Sequence, residues 1–284
     1  MKNLLFYSLF ISTFSLFSQE TKQDTTRLQN LEEVIVSSIR VKQNAPIAFT
    51  NVSKDELGKK NLGQDLPILL NSLTSVVTTS DAGAGVGYTG IRIRGINAQS
   101  TNITINGIPY NDAESLGTFW VDLPDFASSV ENLQVQRGVG TSTNGSSAFG
   151  ASINILTDLI SKTPYFENSN SVGSYNTLKN TFKFSTGILN DYFEFSGRLS
   201  KIDSDGYIDR SSSDLKSYFL QVNYKKENTL IKALSFGGHE ITYQAWNGID
   251  GETLESDRTY NPSGMYIDQS GNIQFYENEV DNYK

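Results

Sequence analysis

The sequence predicts an α+β domain, a small mixed sheet with short helices, followed by a series of long amphipathic antiparallel strands. Four short apolar runs, at 91–93, 102–105, 130–135 and 152–156, are bounded by glycine, Arg-Gly pairs or a Gly/Ser/Asn-rich loop, the punctuation of strands. Two helical signatures precede them within 45–77. Past Thr157 the pattern changes to strict alternation over strand length.

At the N-terminus, Lys2 precedes an apolar run at 4–17 that is shorter than the roughly 20 residues a spanning helix needs. Ser18 before Gln19-Glu20 supplies a cleavage point, so 1–18 is expected to be an export signal. Residues 19–30 are polar and aperiodic, a flexible tether. Within the tether region, which extends to 44, lies Leu31-Glu32-Glu33-Val34-Ile35-Val36-Ser37-Ser38. Three β-branched residues in a row suit either the first strand of the next domain or an edge strand that adds itself to a partner sheet.

Ser53 stands three residues before Glu56, the spacing of a capping box, with Gly58 as a stop. Leu66, Leu69, Leu70 and Leu73 recur at helical spacing and predict a second helix from about 62 or 64 to 73 with one apolar face on a sheet. Gly85, Gly87 and Gly90 spell a GxGxxG, but they lead into an alternating strand rather than a helix. A dinucleotide site needs the helix N-terminus, so the glycines are read as a mobile loop.

In the second half, Phe193, Phe195, Gly197 and Leu199 alternate with Glu194, Ser196, Arg198 and Ser200; Tyr218, Leu220, Val222 and Tyr224 alternate with Phe219, Gln221, Asn223 and Lys225. This suits a transmembrane barrel strand and equally an ordinary sheet with one wet face. Polar stretches at 203–214 and 248–264 separate the strands.

The 31 acidic residues outnumber 23 basic ones, a net charge of -8 that repels phosphate backbones and argues against nucleic-acid binding. With no cysteine, disulfides and thiolate metal sites are excluded. His239 is the only histidine, too few for a histidine triad or a multi-histidine metal centre, and it is read as a loop or lumen residue. Asp203, Asp205 and Gly206 are read as a solvated hairpin turn, since an EF-hand needs its glycine at the sixth loop position between helices. No catalytic, cofactor or metal site is expected.

Taken in order, IRIRGI, NITINGIPYND and SVENLQVQRGVGTSTNGSSAFGASINILT between 91 and 157 resemble the plug domain of TonB-dependent outer-membrane receptors, in a Bacteroidetes-like form. The resemblance implies a plug at 45–158 and antiparallel transmembrane β-barrel strands at 159–284. Such a barrel takes on the order of 22 strands of about 10 residues, so the barrel is expected to be incomplete and the chain truncated. It makes Leu31, Glu32, Glu33, Val34, Ile35, Val36 and Ser37 the TonB box, offered to a periplasmic energy-coupling protein. Arg94-Gly95 and Arg137-Gly138, each at a strand end beside a glycine, would by the same resemblance face carboxylates of the barrel wall; pairing within the plug is the other reading.

Ligand contacts would fall on outward plug loops: Tyr88, Asn97, Asn111, Asp112, Glu114, Phe119 and Trp120, with 246–250 adding a barrel loop. Aromatic residues beside amides and carboxylates suit a sizeable polar ligand, although Phe119 and Trp120 equally suit packing of the plug's top. The function implied is energy-coupled uptake of a scarce nutrient, foremost an iron-siderophore chelate, across the outer membrane of a Gram-negative bacterium. The partners implied are the coupling protein, membrane lipid and a small-molecule ligand. The rivals are an exported β-rich binding or adhesion module without transport and an exported glycan hydrolase; no carboxylate pair at about 5 to 10 Å is signalled for the latter.

Overall fold

The computed structural model describes residues 40–276 except 43, 82, 84, 140–147, 244 and 246. The export signal at 1–18 and the coupling segment at 31–38 lie outside the described residues.

The α+β domain is built on a five-stranded mixed sheet. Its strands are β1 (Phe49–Ser53), β4 (Thr101–Ile105), β5 (Ile108–Pro109), β6 (Val130–Arg137) and β7 (Ala151–Thr157), in the order β1-β6-β7-β4-β5. The β4–β7 pair is parallel and the others antiparallel. Alternation divides the sheet's two faces. Ile103, Ile105, Leu133, Val135, Ile153 and Ile155 join one apolar core with Leu57, Leu66, Leu69, Leu70, Trp120 and Phe126. The opposite face is polar and also buried: Asn102, Thr104, Gln134, Gln136, Ser152 and Asn154. A separate hairpin, β2 (Val76–Ser80) with β3 (Thr89–Ile93), contributes Val76, Ile91 and Ile93 to the core.

Helix α1 (Lys54–Lys60) has the predicted capping box: Ser53 Oγ accepts from the Glu56 amide, and the Glu56 carboxylate accepts from the Ser53 amide at 2.8 Å. It runs through Gly58 to Lys60, because that glycine points into open space and nothing there forces a turn. Helix α2 (Leu66–Leu69) is much shorter than the leucine spacing predicts. Gly63 at φ 115° bars an earlier start, Pro67 donates no backbone hydrogen bond, and Ser75 at φ 63° turns the chain into β2. The leucines still pack as one face, since a single turn with its flanks suffices to point them inward.

Beyond Thr157, strands β8 (Tyr165–Val172), β9 (Leu178–Ser185), β10 (Phe193–Ser204), β11 (Ser213–Lys226) and β12 (Thr229–Thr242) form an antiparallel meander in sequence order. Its two faces are inverted relative to a water-soluble sheet. Glu194, Ser196, Arg198, Ser200, Ser217, Gln221 and Asn223 are buried on one face, where Arg198, Ser200 and Gln221 bond to the α+β domain. The apolar set faces away: Leu199 is 52% exposed, Leu220 43% and Ile231 58%, against 1% for both Arg198 and Gln221. An apolar face left to the surroundings around a polar interior is the arrangement of strands bathed in lipid.

One end of this sheet has the turns 186–192 and 227–228. The other has the segments 173–177 and 205–212 and the described residues after Thr242, including α3 (Gly251–Ser256) and the hairpin β13 (Met265–Ile267) with β14 (Ile273–Phe275). His239, expected in a loop or facing the interior, lies within β12 opposite Lys216 and is exposed. Period-two alternation from inward Phe236 and Glu240 places it on the outward face.

Candidate functional site

The α+β domain is seated on the strand wall through two carboxylates. Asp125 follows Leu123-Pro124 and adopts φ 50°, a left-handed conformation aspartate tolerates, at the entry to a short 3-10 turn, Phe126–Ser129. Its Oδ1 accepts from Lys179 Nζ at 2.7 Å and Ser128 Oγ at 2.7 Å; its Oδ2 accepts from Arg198 Nη1 at 2.8 Å and from Ser200 Oγ. Arg198 also donates to Ser129 Oγ at 2.8 Å, and to Ser217 Oγ at 3.0 Å. Lys179 and Arg198 belong to β9 and β10, so one domain carboxylate ties down two wall cations. Burial favours the neutral acid, but Arg198 and Lys179 outweigh it and hold the Asp125 carboxyl at about 2.

Asp158, the residue after β7, makes the second contact. It pairs with Lys54 of α1 at 2.7 Å and Lys183 of β9 at 2.9 Å, while its carbonyl accepts from Gln221 Nε2 at 3.0 Å. Burial again opposes the charge, and the two lysines hold its carboxyl below the usual range. Between these polar anchors, Phe126 packs edge-on against Phe219 and Phe236, at 5.9 and 5.3 Å between ring centroids.

Toward the long-loop end the fit is steric. A Cβ on Gly63 would lie 2.8 Å from Ile202 Cδ1, and one on Gly87 would lie 2.9 Å from Glu240 Oε1. Both glycines have positive φ, so shape and backbone conformation each demand glycine there. Close to this contact Asp65 accepts from Thr89 Oγ1 at 2.8 Å through Oδ2, while Oδ1 is buried without a partner. Burial pushes its carboxyl well above the ordinary value, with Glu240 and Asp125 adding to the effect. A cavity of about 280 Å³ opens beside Gly63, Gln64 and Val86, below the edge-on pair Tyr175 and Tyr207.

The segment after Thr242 is pinned by Arg210, which donates to Tyr243 Oη at 3.1 Å and to the Asn261 carbonyl and lies 4.2 Å from the Phe275 ring centroid.

The residues singled out from sequence separate into two groups. Tyr88, Asn97, Glu114 and Phe119 are exposed and free to meet a ligand. Trp120 is in the domain's core at 3% exposure, packing rather than presenting a surface. Asn111 ties its loop to β4, donating to the Thr101 and Leu116 carbonyls and accepting from the Ile103 amide. Asp112 caps the same loop by accepting from the Ser115 amide at 2.7 Å. Asp250 accepts from the Thr253 amide at the start of α3, and Trp246 lies outside the described residues.

Arg94 and Arg137 meet no carboxylate of strands β8–β12 among the described residues. Arg137 Nε donates to the Thr74 carbonyl at 2.9 Å within the domain, and Arg94 lies over Gly138, whose Cβ would be 3.2 Å from Nη1. Among the described residues neither pairs with a carboxylate. At the Asp125 and Asp158 contacts the domain supplies the carboxylates and the wall supplies cations. The signal for this was present as Lys179, Lys183 and Arg198 on the inward phase of alternating strands.

A mixed-sheet domain seated by buried ion pairs on strands whose far side is apolar is a plug on the wall of an outer-membrane barrel. The family model described as the TonB-dependent receptor plug domain matches residues 41–152. The vitamin B12 transporter BtuB of Vibrio vulnificus is 27% identical over 275 residues, covering 94% of this chain and 42% of its own. The ferrienterobactin receptor of Escherichia coli K12 is 24% identical over 208 residues, covering 67% and 28%. Among solved structures, the ferric yersiniabactin uptake receptor FyuA of Yersinia pestis superposes with a TM-score of 0.56 at 18% identity, over 78% of this chain and 35% of its own. Residues 41–152 are thus a plug domain of the TonB-dependent receptor kind, and the protein's place is the outer membrane of a Gram-negative bacterium. It spans about two fifths of the length of the vitamin B12 transporter it matches.

Proposed function

We propose that the protein takes up a scarce nutrient across the outer membrane by energy-coupled release of its plug, with an iron-siderophore chelate as the foremost cargo. The observation that carries this reading is the inverted sheet, polar and ion-paired toward the plug and apolar outward. Such a plug is held by contacts that exchange for water at modest net cost, whereas a fused hydrophobic core would not let go. The long-loop end is then the outer side. Ligand contact falls on Tyr88, Asn97, Glu114 and Phe119, and residues 31–37 form the box that a TonB-type protein takes up as an added strand.

The domain limits follow the same reading: signal 1–18, tether with box 19–44, plug 45–158 and barrel strands 159–284. A cobalamin-type cargo is the second reading, favoured by the vitamin B12 transporter among the relatives.

Uptake of radiolabelled ferric catecholate, hydroxamate and citrate chelates, and of cobalamin, is measured in cells whose own receptors for these are deleted. Energy-dependent accumulation of a ferric chelate, abolished by Ile35→Pro with cell-surface binding intact, is the expected outcome. Accumulation of cobalamin alone shifts the cargo to the second reading. Uptake that persists without the coupling protein overturns the mechanism.

A further inference from the structure

The cavity of about 280 Å³ between plug and wall is separate from the ligand contacts described above: none of Tyr88, Asn97, Glu114 and Phe119 lines it. Its apolar lining is Leu62 and Val86 from the plug and Ile202 from β10. Hydroxyl groups stand beside these. Ser204 Oγ and Thr177 Oγ1 share a hydrogen bond at 2.7 Å, and Thr177 donates to the Ser174 carbonyl at 2.7 Å. Ser213, also in the lining, is 5% exposed and its Oγ is buried without a partner. A buried hydroxyl left in that state costs free energy until a guest molecule meets it.

Two loops fix the mouth. Asn176 Nδ2 donates to Asp205 Oδ2 at 2.6 Å and the Asp205 amide donates to the Tyr175 carbonyl at 2.9 Å, joining the segments 173–177 and 205–212. Tyr175 is held at φ 57° and Asn176 at φ 52°. A bulky side chain rarely takes this left-handed backbone, and strain of that kind persists where the surroundings impose it. It sets the Tyr175 ring edge-on to that of Tyr207, with 5.5 Å between centroids and both rings half exposed.

Among the described residues that line the cavity, none is charged. An ionic guest therefore finds no counter-charge to repay its desolvation. A wholly apolar guest would leave the Ser213 hydroxyl unsatisfied. The lining matches an uncharged ring that carries both C–H faces and O–H groups. The volume equals that of roughly nine waters at ~30 Å³ each, enough for one such ring. It falls short of the roughly 300 to 1,000 Å³ of sites for drug-sized ligands, so a whole chelate is too large. Ile202, Ser204 and Ser213 are on the inward phase of β10 and β11, so the guest arrives from solution at the long-loop end and not from the lipid side.

We propose that this cavity is a carbohydrate subsite that takes one uncharged sugar ring of a soluble saccharide, with Tyr175 and Tyr207 against its C–H groups and Ser213 on one of its hydroxyls. The assignment depends neither on the cargo nor on the coupling partner.

Saturation-transfer NMR of the full chain in micelles of a non-glycosidic detergent tests it, with methyl β-glucopyranoside as the probe and glucuronate and phenol as controls. The glucoside is expected to bind with a Kd on the order of 1 mM, as a single ring does, and the two controls to show no transfer. Ser213→Ala should weaken binding about fivefold, the effect of one neutral hydrogen bond. Tyr207→Ala should weaken it about tenfold and Tyr207→Phe should leave it within about twofold, since the ring makes the contact. Protease resistance of the plug is followed alongside, and if Tyr207→Ala loses it, Ser213→Ala decides. Absence of transfer to the glucoside in wild type, an unchanged Kd in Ser213→Ala, or transfer to phenol or glucuronate equal to that of the glucoside overturns the subsite.

Discussion

Asp125 of the plug and Arg198 of the wall meet at 2.8 Å with both side chains closed off from solvent. Removing Asp125 strands two cations in the interface, whereas removing Arg198 leaves Asp125 paired with Lys179. Asp125→Asn is expected to destabilise the plug on its wall by about 3 to 5 kcal/mol, and Arg198→Met by less. The double variant should lose less than the sum, because Arg198 is then not left unpaired by the change at 125. Denaturant titration in micelles, followed by plug-specific proteolysis, reads the coupling.

The same carboxylate sets an acid limit. Its folded value of about 2 lies below the ordinary 3.9 or so, so the stabilisation it brings is complete above about pH 4 and is lost as the pH falls toward 2. The loss is roughly 2 to 3 kcal/mol. Asp158 acts in the same direction. Protease resistance of the plug measured from pH 6 to pH 2 should fall in that window, and Asp125→Asn should flatten the fall.

Asp65 has the opposite sign. Its carboxyl is pushed well above the ordinary range, so its favourable contribution exists at low pH and disappears as the pH rises through the folded value. Asp65→Asn is therefore expected to raise the unfolding midpoint at pH 8 and to leave it unchanged at pH 4. A lower midpoint at pH 8 contradicts the assignment.

The outward face supplies a test of surroundings. Leu220→Arg is expected to cost about 2 to 4 kcal/mol in lipid vesicles if the residue lies near mid-bilayer. The exposed plug residue Glu114, changed to arginine, should cost within about 0.5 kcal/mol, as surface substitutions do. Equal effects at the two positions count against a lipid-facing Leu220.

Strand positions and faces were legible because alternation is a local signal: Glu194, Arg198, Gln221 and Asn223 all point inward as the pattern implies. The capping box at Ser53 and Glu56 was legible for the same reason. The Asp125 contact was not, since Lys179 and Arg198 lie 54 and 73 residues away and no short motif links them. Nor was the burial of Trp120, because an aromatic residue in a polar loop reads the same whether it packs or binds. The extent of α2 was not legible either, because leucine spacing does not register the limits that Gly63 and Pro67 set.

One dimension of the plug's freedom is already set by the connection between β7 and β8. Residues 158–164 form a leash of seven residues, which even fully extended reaches only about 25 Å. Its first residue is clamped by Lys54 and Lys183. While β7 and β8 stay folded, the C-terminal end of the plug can never travel farther than that from its own wall. Any passage wider than the leash allows must be opened by unravelling from the opposite end.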